Sequence, residues 1–244
     1  MDKETIVNSY KAIGRSVVNY AAPIWTTFLS DTQWNRLQVS QNNALRTATG
    51  CHQMAHPDHL HQETLVLPIR KHNELLAKQF LLKCHNPEHV SHEKVIRPPP
   101  HRAIRNDLRF YNEDVSLFVP EIWDPESTRL ALDALHQQAV QQAKLNFAPN
   151  AVLNEQPPPV HKSEETLPRE TRATLAQLRS GYSNFLASYK ARIAENIQDV
   201  CPNCNDSPHN TQQIFNCQAC PTTLTVTDLW SRPTETASFL GLKI

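Results

Sequence analysis

Glycine is scarce in this chain, with four residues in 244 against eighteen prolines. A strand-rich sandwich needs glycine wherever a tight turn drives φ positive, so that class is disfavoured, and helices joined by stiff, extended connectors fit better. Net charge is missing too, because 24 Lys/Arg balance 24 Asp/Glu. That balance excludes a global basic field as the signature of a nucleic-acid binder. No apolar run approaches the ~20 residues of a membrane span, and the opening MDKETIVNSYK has no apolar core of a signal peptide. The expected setting is intracellular, in the nucleus or the cytoplasm, without a membrane partner. In a reducing compartment paired cysteines serve metals more often than disulfides.

Catalytic patterns are equally short. The chain has no G-x-S-x-G elbow, no glycine-rich phosphate loop, no H-E-x-x-H and no adjacent pair of aspartates. Nucleophilic hydrolysis, phosphate-loop chemistry and two-metal polymerase or nuclease chemistry therefore have no visible residue set.

What is present reads as mainly α. Ile6, Tyr10, Ile13 and Val17 recur at helical spacing, and Pro23 then ends that helix and directs Trp25 inward. A second helix starts at Ser30 or Asp31, runs through Trp34, Leu37, Gln41, Ala44, Leu45 and Ala48, and stops at Gly50. A third covers Arg70 to Cys84 with Leu75, Leu76, Gln79 and Phe80 inward, and together these helices predict a bundle over 1–94. Residues 95–168 read as a proline-rich connector, with blocks at Pro98–Pro100 and Pro157–Pro159 and one weakly periodic helix from Glu126 to Asn146. Residues 169–244 predict a helical hairpin broken at Gly181, a cysteine-rich module, and a short helix or two anchored by Trp230, Phe239 and Leu240.

That module, CPNCNDSPHNTQQIFNCQAC, places two Cys-x-x-Cys turns twelve residues apart. Each turn can bring two thiolates to one ion, so Cys201, Cys204, Cys217 and Cys220 form a complete tetrahedral set for a structural zinc; His209 is the alternative fourth ligand. Two further clusters, Cys51/His52/His56/His59/His61 and Cys84/His85/His89/His92, read as structural or solvated residues in a chain with twelve histidines.

Charge is unevenly spread: residues 1–110 carry fourteen Lys/Arg against nine Asp/Glu, and residues 111–160 carry two against seven. Lys94, Arg97, Arg102, Arg105 and Arg109 surround the first proline block beside Phe110 and Tyr111. In isolation this is a solvated connector. As a nucleic-acid contact, its candidates are Arg97, Arg102 and Arg105.

The blocks SYKAIGRSVVNYAAPIW, LQVSQNNALRTATGC and HLHQETLVLPIRKHNELLAKQF resemble, in that order, the region after the polymerase palm in reverse transcriptases of jockey-like non-LTR retrotransposons. LAQLRSGYSNFLASYKARI, CPNC, SPHNT, IFNC, PTTLTVTDLW and FLGL resemble the C-terminus of the same proteins; residues 95–165 match poorly. The resemblance implies a thumb-type helical bundle and a zinc-knuckle-like tail. It also implies binding of RNA or an RNA/DNA hybrid, and an upstream polymerase domain of the same element that carries the paired catalytic aspartates. The chain would then be a C-terminal fragment of an RNA-directed DNA polymerase, inactive alone. The family's tail pattern falls here on Cys201, Cys204, position 213 and Cys217, but position 213 holds Gln213 where the pattern wants His.

Overall fold

The computed structural model describes residues 2–97, 107–206 and 208–244, and it is mainly helical, with no strand among the described residues. In chain order the helices are α1 Lys3–Ser9, α2 Ser16–Asn19, α3 Ala22–Trp25, α4 Asp31–Thr49, α5 Pro57–Thr64, α6 Ile69–Cys84, α7 His92–Ile96 and α8 Asn112–Ser116. They continue with α9 Pro125–Asn146, α10 Arg169–Ser180, α11 Ala187–Ile193, α12 Thr211–Asn216, α13 Asp228–Ser231 and α14 Pro233–Phe239. Two compact units divide the chain: one joins Met1–Asn8, Asn42–Val66 and Phe147–Ile244, the other Ser9–Gln41 and Leu67–Asn146. Each therefore draws on stretches far apart in sequence.

In the second unit α6 is the hub, with α3, α8 and α9 packed along it. Ile69, Leu75, Ala77, Leu81 and Leu82 face inward and are almost wholly buried. Since neighbouring residues of a helix point about 100° apart, a core held by Leu81 and Leu82 turns Phe80 outward. Phe80 is 41% exposed, so the expectation that it faces the core is overturned. The first turn of α6 has no side-chain cap of its own. Gln38 from α4 supplies one, its Oε1 accepting the Ile69 N–H at 3.0 Å. Two residues earlier in the chain, the Leu67 carbonyl accepts from Arg15 Nη2 at 2.6 Å and Gln41 Nε2 at 2.9 Å.

Local signals explain most helix ends. Ser30 and Gln33 cap α4 reciprocally, Ser30 N donating to Gln33 Oε1 at 2.8 Å and Gln33 N to Ser30 Oγ at 3.4 Å. Gly50 closes α4 at φ +75°, its N–H reaching the Arg46 carbonyl. Asp124 caps α9, accepting from the Ser127 and Glu126 N–H groups. The amino-terminal stripe fares differently. A π-helical turn over Tyr10–Arg15 inserts extra backbone per turn and so rotates the residues after it about the helix axis. Val7, before the turn, is buried, and so is Arg15 at its end, while Ile13 and Val17 are 73% and 74% exposed. Pro23 does not stop a helix; it sits in the first turn of α3, after Ala21 has turned into the left-handed region.

In the first unit Leu175, Leu178, Leu186, Tyr189, Ile214, Leu229, Trp230 and Ala237 form one apolar core. A fully buried leucine here contributes about 1.5–3 kcal/mol. On either side of the second proline block the chain is anchored, while Pro157 and Pro158 are half-buried and Pro159 is exposed. Val152 and Leu167 are buried, and the Asn150 amide donates to the Arg179 carbonyl at 3.1 Å while its Oδ1 accepts from Val152 and Leu153. After Gly181 the hairpin's second arm is the short α11, with Ile193 and Ile197 exposed.

At the centre of this unit Arg179 is completely buried. Each of its three nitrogens finds acceptors: Nε and Nη2 donate to the Leu229 carbonyl, Nη1 to both oxygens of Glu63 at 3.3 and 3.1 Å, and Nη2 also to Glu164. The guanidinium lies 5.7 Å from the centroid of Trp230, and Lys3 reaches Glu164 at 3.6 Å. Two carboxylates and two cations leave the cluster neutral, the condition under which buried charge is tolerated. Burial pushes Glu63 upward, but Arg179, His59 and Lys3 together outweigh it and hold the carboxyl below its ordinary range.

Candidate metal centre

The cysteine module begins with a loop that closes on itself. Asn205 N donates to the Cys201 carbonyl at 2.9 Å and Cys201 N to the Asp206 carbonyl at 2.8 Å. Asn205 carries the chain through φ +59°, a conformation asparagine tolerates better than most residues. The second turn comes after α12, where Cys220 N donates to the Cys217 carbonyl at 3.1 Å. Asn210 caps α12, accepting from Gln213 N at 2.9 Å, and Cys217 sits directly after its C-terminal end.

These two turns bring together Cys201, Cys204 and Cys217, whose sulfurs all lie within 4.8 Å of one another. Cys201 and Cys217 are 3.8 Å apart, sulfur to sulfur, and both are buried. Four thiolates held about 2.3 Å from a tetrahedral zinc sit about 3.8 Å from each other. The trio therefore fits a thiolate-binding metal. Polar groups aim at the sulfurs: the Gln213 amide donates to Cys204 at 3.4 Å, and the Asn203 amide to Cys220 at 3.3 Å.

The thiols do not titrate independently. Burial opposes ionisation of Cys201, yet N–H groups of Cys204 and Asn203 directed at its sulfur bring it below the ordinary thiol value. The Asp206 N–H favours the Cys204 thiolate, but burial and the neighbouring Cys201 and Cys217 push it up to about 11. Burial and Cys217 raise Cys220. Such crowding is what a bound cation relieves.

Cys220 stands outside the group of three, although it shares a turn with Cys217. His209 is committed elsewhere. It is buried, its Nδ1 accepts the Ala187 N–H at 3.0 Å, and its own N–H donates to Asp199 at 2.8 Å. Burial lowers its pKa, in keeping with a neutral ring that holds the start of α11. Gln213 reaches Cys204 as a hydrogen-bond donor, which supports a thiolate but supplies no ligand.

The other histidine clusters serve the fold. His59 Nε2 donates to the Ala176 carbonyl at 3.1 Å, His61 Nδ1 to Val66 at 2.7 Å and His92 Nδ1 to Cys84 at 3.3 Å. Cys51 is a buried thiol pushed up to about 12 by burial and Glu63, and is chemically inert. Of the candidate nucleic-acid residues, Arg97 is 73% exposed beside Glu93 at 3.6 Å, whereas Arg102 and Arg105 lie outside the described residues. Two features escaped the sequence reading. Asn205 after CPNC is the legible one, since asparagine there marks a left-handed turn; nothing local signals that Arg179 meets Glu63, 116 residues away.

Compared with protein-family models, curated proteins and solved structures, the chain matches none of them. No helix among the described residues is long and apolar enough to cross a membrane.

Proposed function

We propose that the chain handles nucleic acid as the thumb and cysteine-rich tail of a jockey-like non-LTR retrotransposon reverse transcriptase. The helical unit around α6 would grip a template–primer duplex through its phosphates, which requires no reading of bases. The tail would bind RNA or target DNA, with zinc fixing a fold too small to hold itself. Convergence of Cys201, Cys204 and Cys217 at zinc-like spacing is the observation that carries this reading, because it lies where the resemblance puts the tail's ligands. Cys220 completes the set by a side-chain rotation on the turn it shares with Cys217, and the zinc is structural. The chain alone, having no paired aspartates, incorporates no nucleotide.

Equilibrium binding of an RNA/DNA hybrid across a salt series tests the reading. Affinity that falls steeply with salt supports it; no binding at low salt sinks it. Metal analysis tests the ligands. One zinc per chain is expected, lost in Cys201→Ser and Cys220→Ser and retained in His209→Ala, and the reverse result for the last two would move the fourth ligand to His209.

One observation favours a second reading, a protein-interaction adaptor. Ile13, Val17, Tyr20, Ile24 and Phe28 are each at least 64% exposed, and large apolar side chains so accessible within sixteen residues are of the kind that bind proteins. Salt-insensitive affinity for a protein, without nucleic-acid binding, would select it.

A further inference from the structure

Phe80 does not stand alone on its face of α6. It lines an open cleft of about 390 Å³ together with Ile24, Phe28 and Leu108. It also lines a second open cleft, of about 420 Å³, with Lys94, Val95, Arg97 and Arg109. Phe80, Asp107 and Leu108 line both, so the two adjoin across these side chains as the halves of a groove within the second unit. Each half falls in the ~300–1,000 Å³ range of ligand-binding clefts.

The two ends differ in chemistry. One is apolar and aromatic, with Phe28 64% exposed. At the other end Arg109 is clamped by Asp107, so its charge is largely offset. Lys94 is different: it is exposed, and its ammonium forms no hydrogen bond or ion pair among the described residues. Arg97 projects into solvent, paired with the exposed Glu93 at 3.6 Å, an ion pair that water screens. Phe80, although accessible, is not loose, because its ring meets His89 in a T-shaped contact at 6.2 Å. A fixed aromatic face next to available cations matches a ligand that is flat and apolar at one point and anionic at the next.

We propose that this groove binds single-stranded nucleic acid, with an unpaired base stacked on Phe80 and the adjoining phosphates on Lys94 and Arg97. Stacking on a side chain requires a base released from its duplex, which selects single strands. An apolar peptide would use Phe28 and Phe80 but leave Lys94 without counter-charge. The groove rests on the nucleic-acid function proposed for the chain and adds to it a place and a strand type.

Fluorescence anisotropy of the full chain with a labelled oligouridylate tests it. Phe80→Ala should weaken binding about tenfold with the salt slope unchanged. Lys94→Gln should weaken binding and reduce the log–log salt slope by about 0.7. Phe80 and Lys94 are both exposed, so circular dichroism of the variants should match the parent, and Lys94→Gln keeps the test valid even if Phe80→Ala does not fold. Binding that neither variant changes overturns the groove and leaves the nucleic-acid function standing on other surfaces. No binding of oligouridylate or hybrid at low salt overturns both. Salt-insensitive capture of an apolar peptide that oligouridylate cannot displace overturns the groove in favour of a protein partner.

Discussion

The two compact units keep their chemistry on opposite sides of their surfaces. In the first, Arg179, Glu63, Glu164 and the neighbouring thiols of Cys201 and Cys217 are turned inward, and polar groups from distant parts of the sequence hold the core. In the second, helices pack on α6 around an interior that holds the buried Arg15 and Gln41 but no buried ion pair among the described residues, and its unpartnered features lie outside: the exposed apolar residues from Ile13 to Phe28 and the groove around Phe80. The difference teaches where each unit is vulnerable. Inward charge makes the first sensitive to loss of a single partner, whereas the second should tolerate surface change and lose binding first.

The sharpest way to break this comparison is Arg179→Met. It strands two buried carboxylates, and removing one partner of such a pair costs about 3–5 kcal/mol. Hydrogen exchange should rise over residues 147–244 and stay unchanged over α6. Replacing Glu63 and Glu164 by leucine in the same variant should recover most of the loss; failure to recover would mean the network is more than a neutral staple.

Acid should reverse the ranking. His72, in the second unit, has its pKa lowered to about 4 by burial and by Arg15, His136 and Lys11, and its Nε2 accepts from the Asn19 amide at 3.1 Å. Below the ordinary value of 6.5 the unfolded chain takes up a proton that the folded protein refuses until about pH 4. Stability should therefore fall by about 2–3 kcal/mol as pH drops across that window, then level off. His72→Gln, which can still accept from Asn19, should flatten the profile measured by urea unfolding.

Smaller effects sharpen the picture. His209→Ala removes the acceptor for the Ala187 N–H and should cost about 1 kcal/mol, seen as faster exchange in α11 with zinc content unchanged. Leu65 sits at φ +53° with its side chain 77% exposed, so it is strained without packing in return. Leu65→Gly should stabilise the first unit by about 0.5–1 kcal/mol in thermal unfolding.

Much of the helical pattern was legible because its causes are local. The Ser30–Gln33 cap, the Gly50 and Gly181 stops and the span of α9 depend on neighbouring residues alone. Ile13, Val17 and Phe80 were misread because a π turn and a choice between adjacent leucines decide which face is buried, and neither is written in spacing. The anchoring of Asn150 and Glu164, on either side of the second proline block, could not be read from spacing because their partners, the Arg179 carbonyl and guanidinium, belong to another part of the chain.

The cysteine module divides the same way. Two Cys-x-x-Cys turns and an asparagine suited to a left-handed conformation are properties of a few adjacent residues, so the sequence alone determined that thiols would gather there. Only the tertiary structure decided which ones: α12 delivers Cys217 to the first turn, while His209 is drawn off to hold α11. Local backbone geometry sets what a turn can present, and long-range packing sets what it meets.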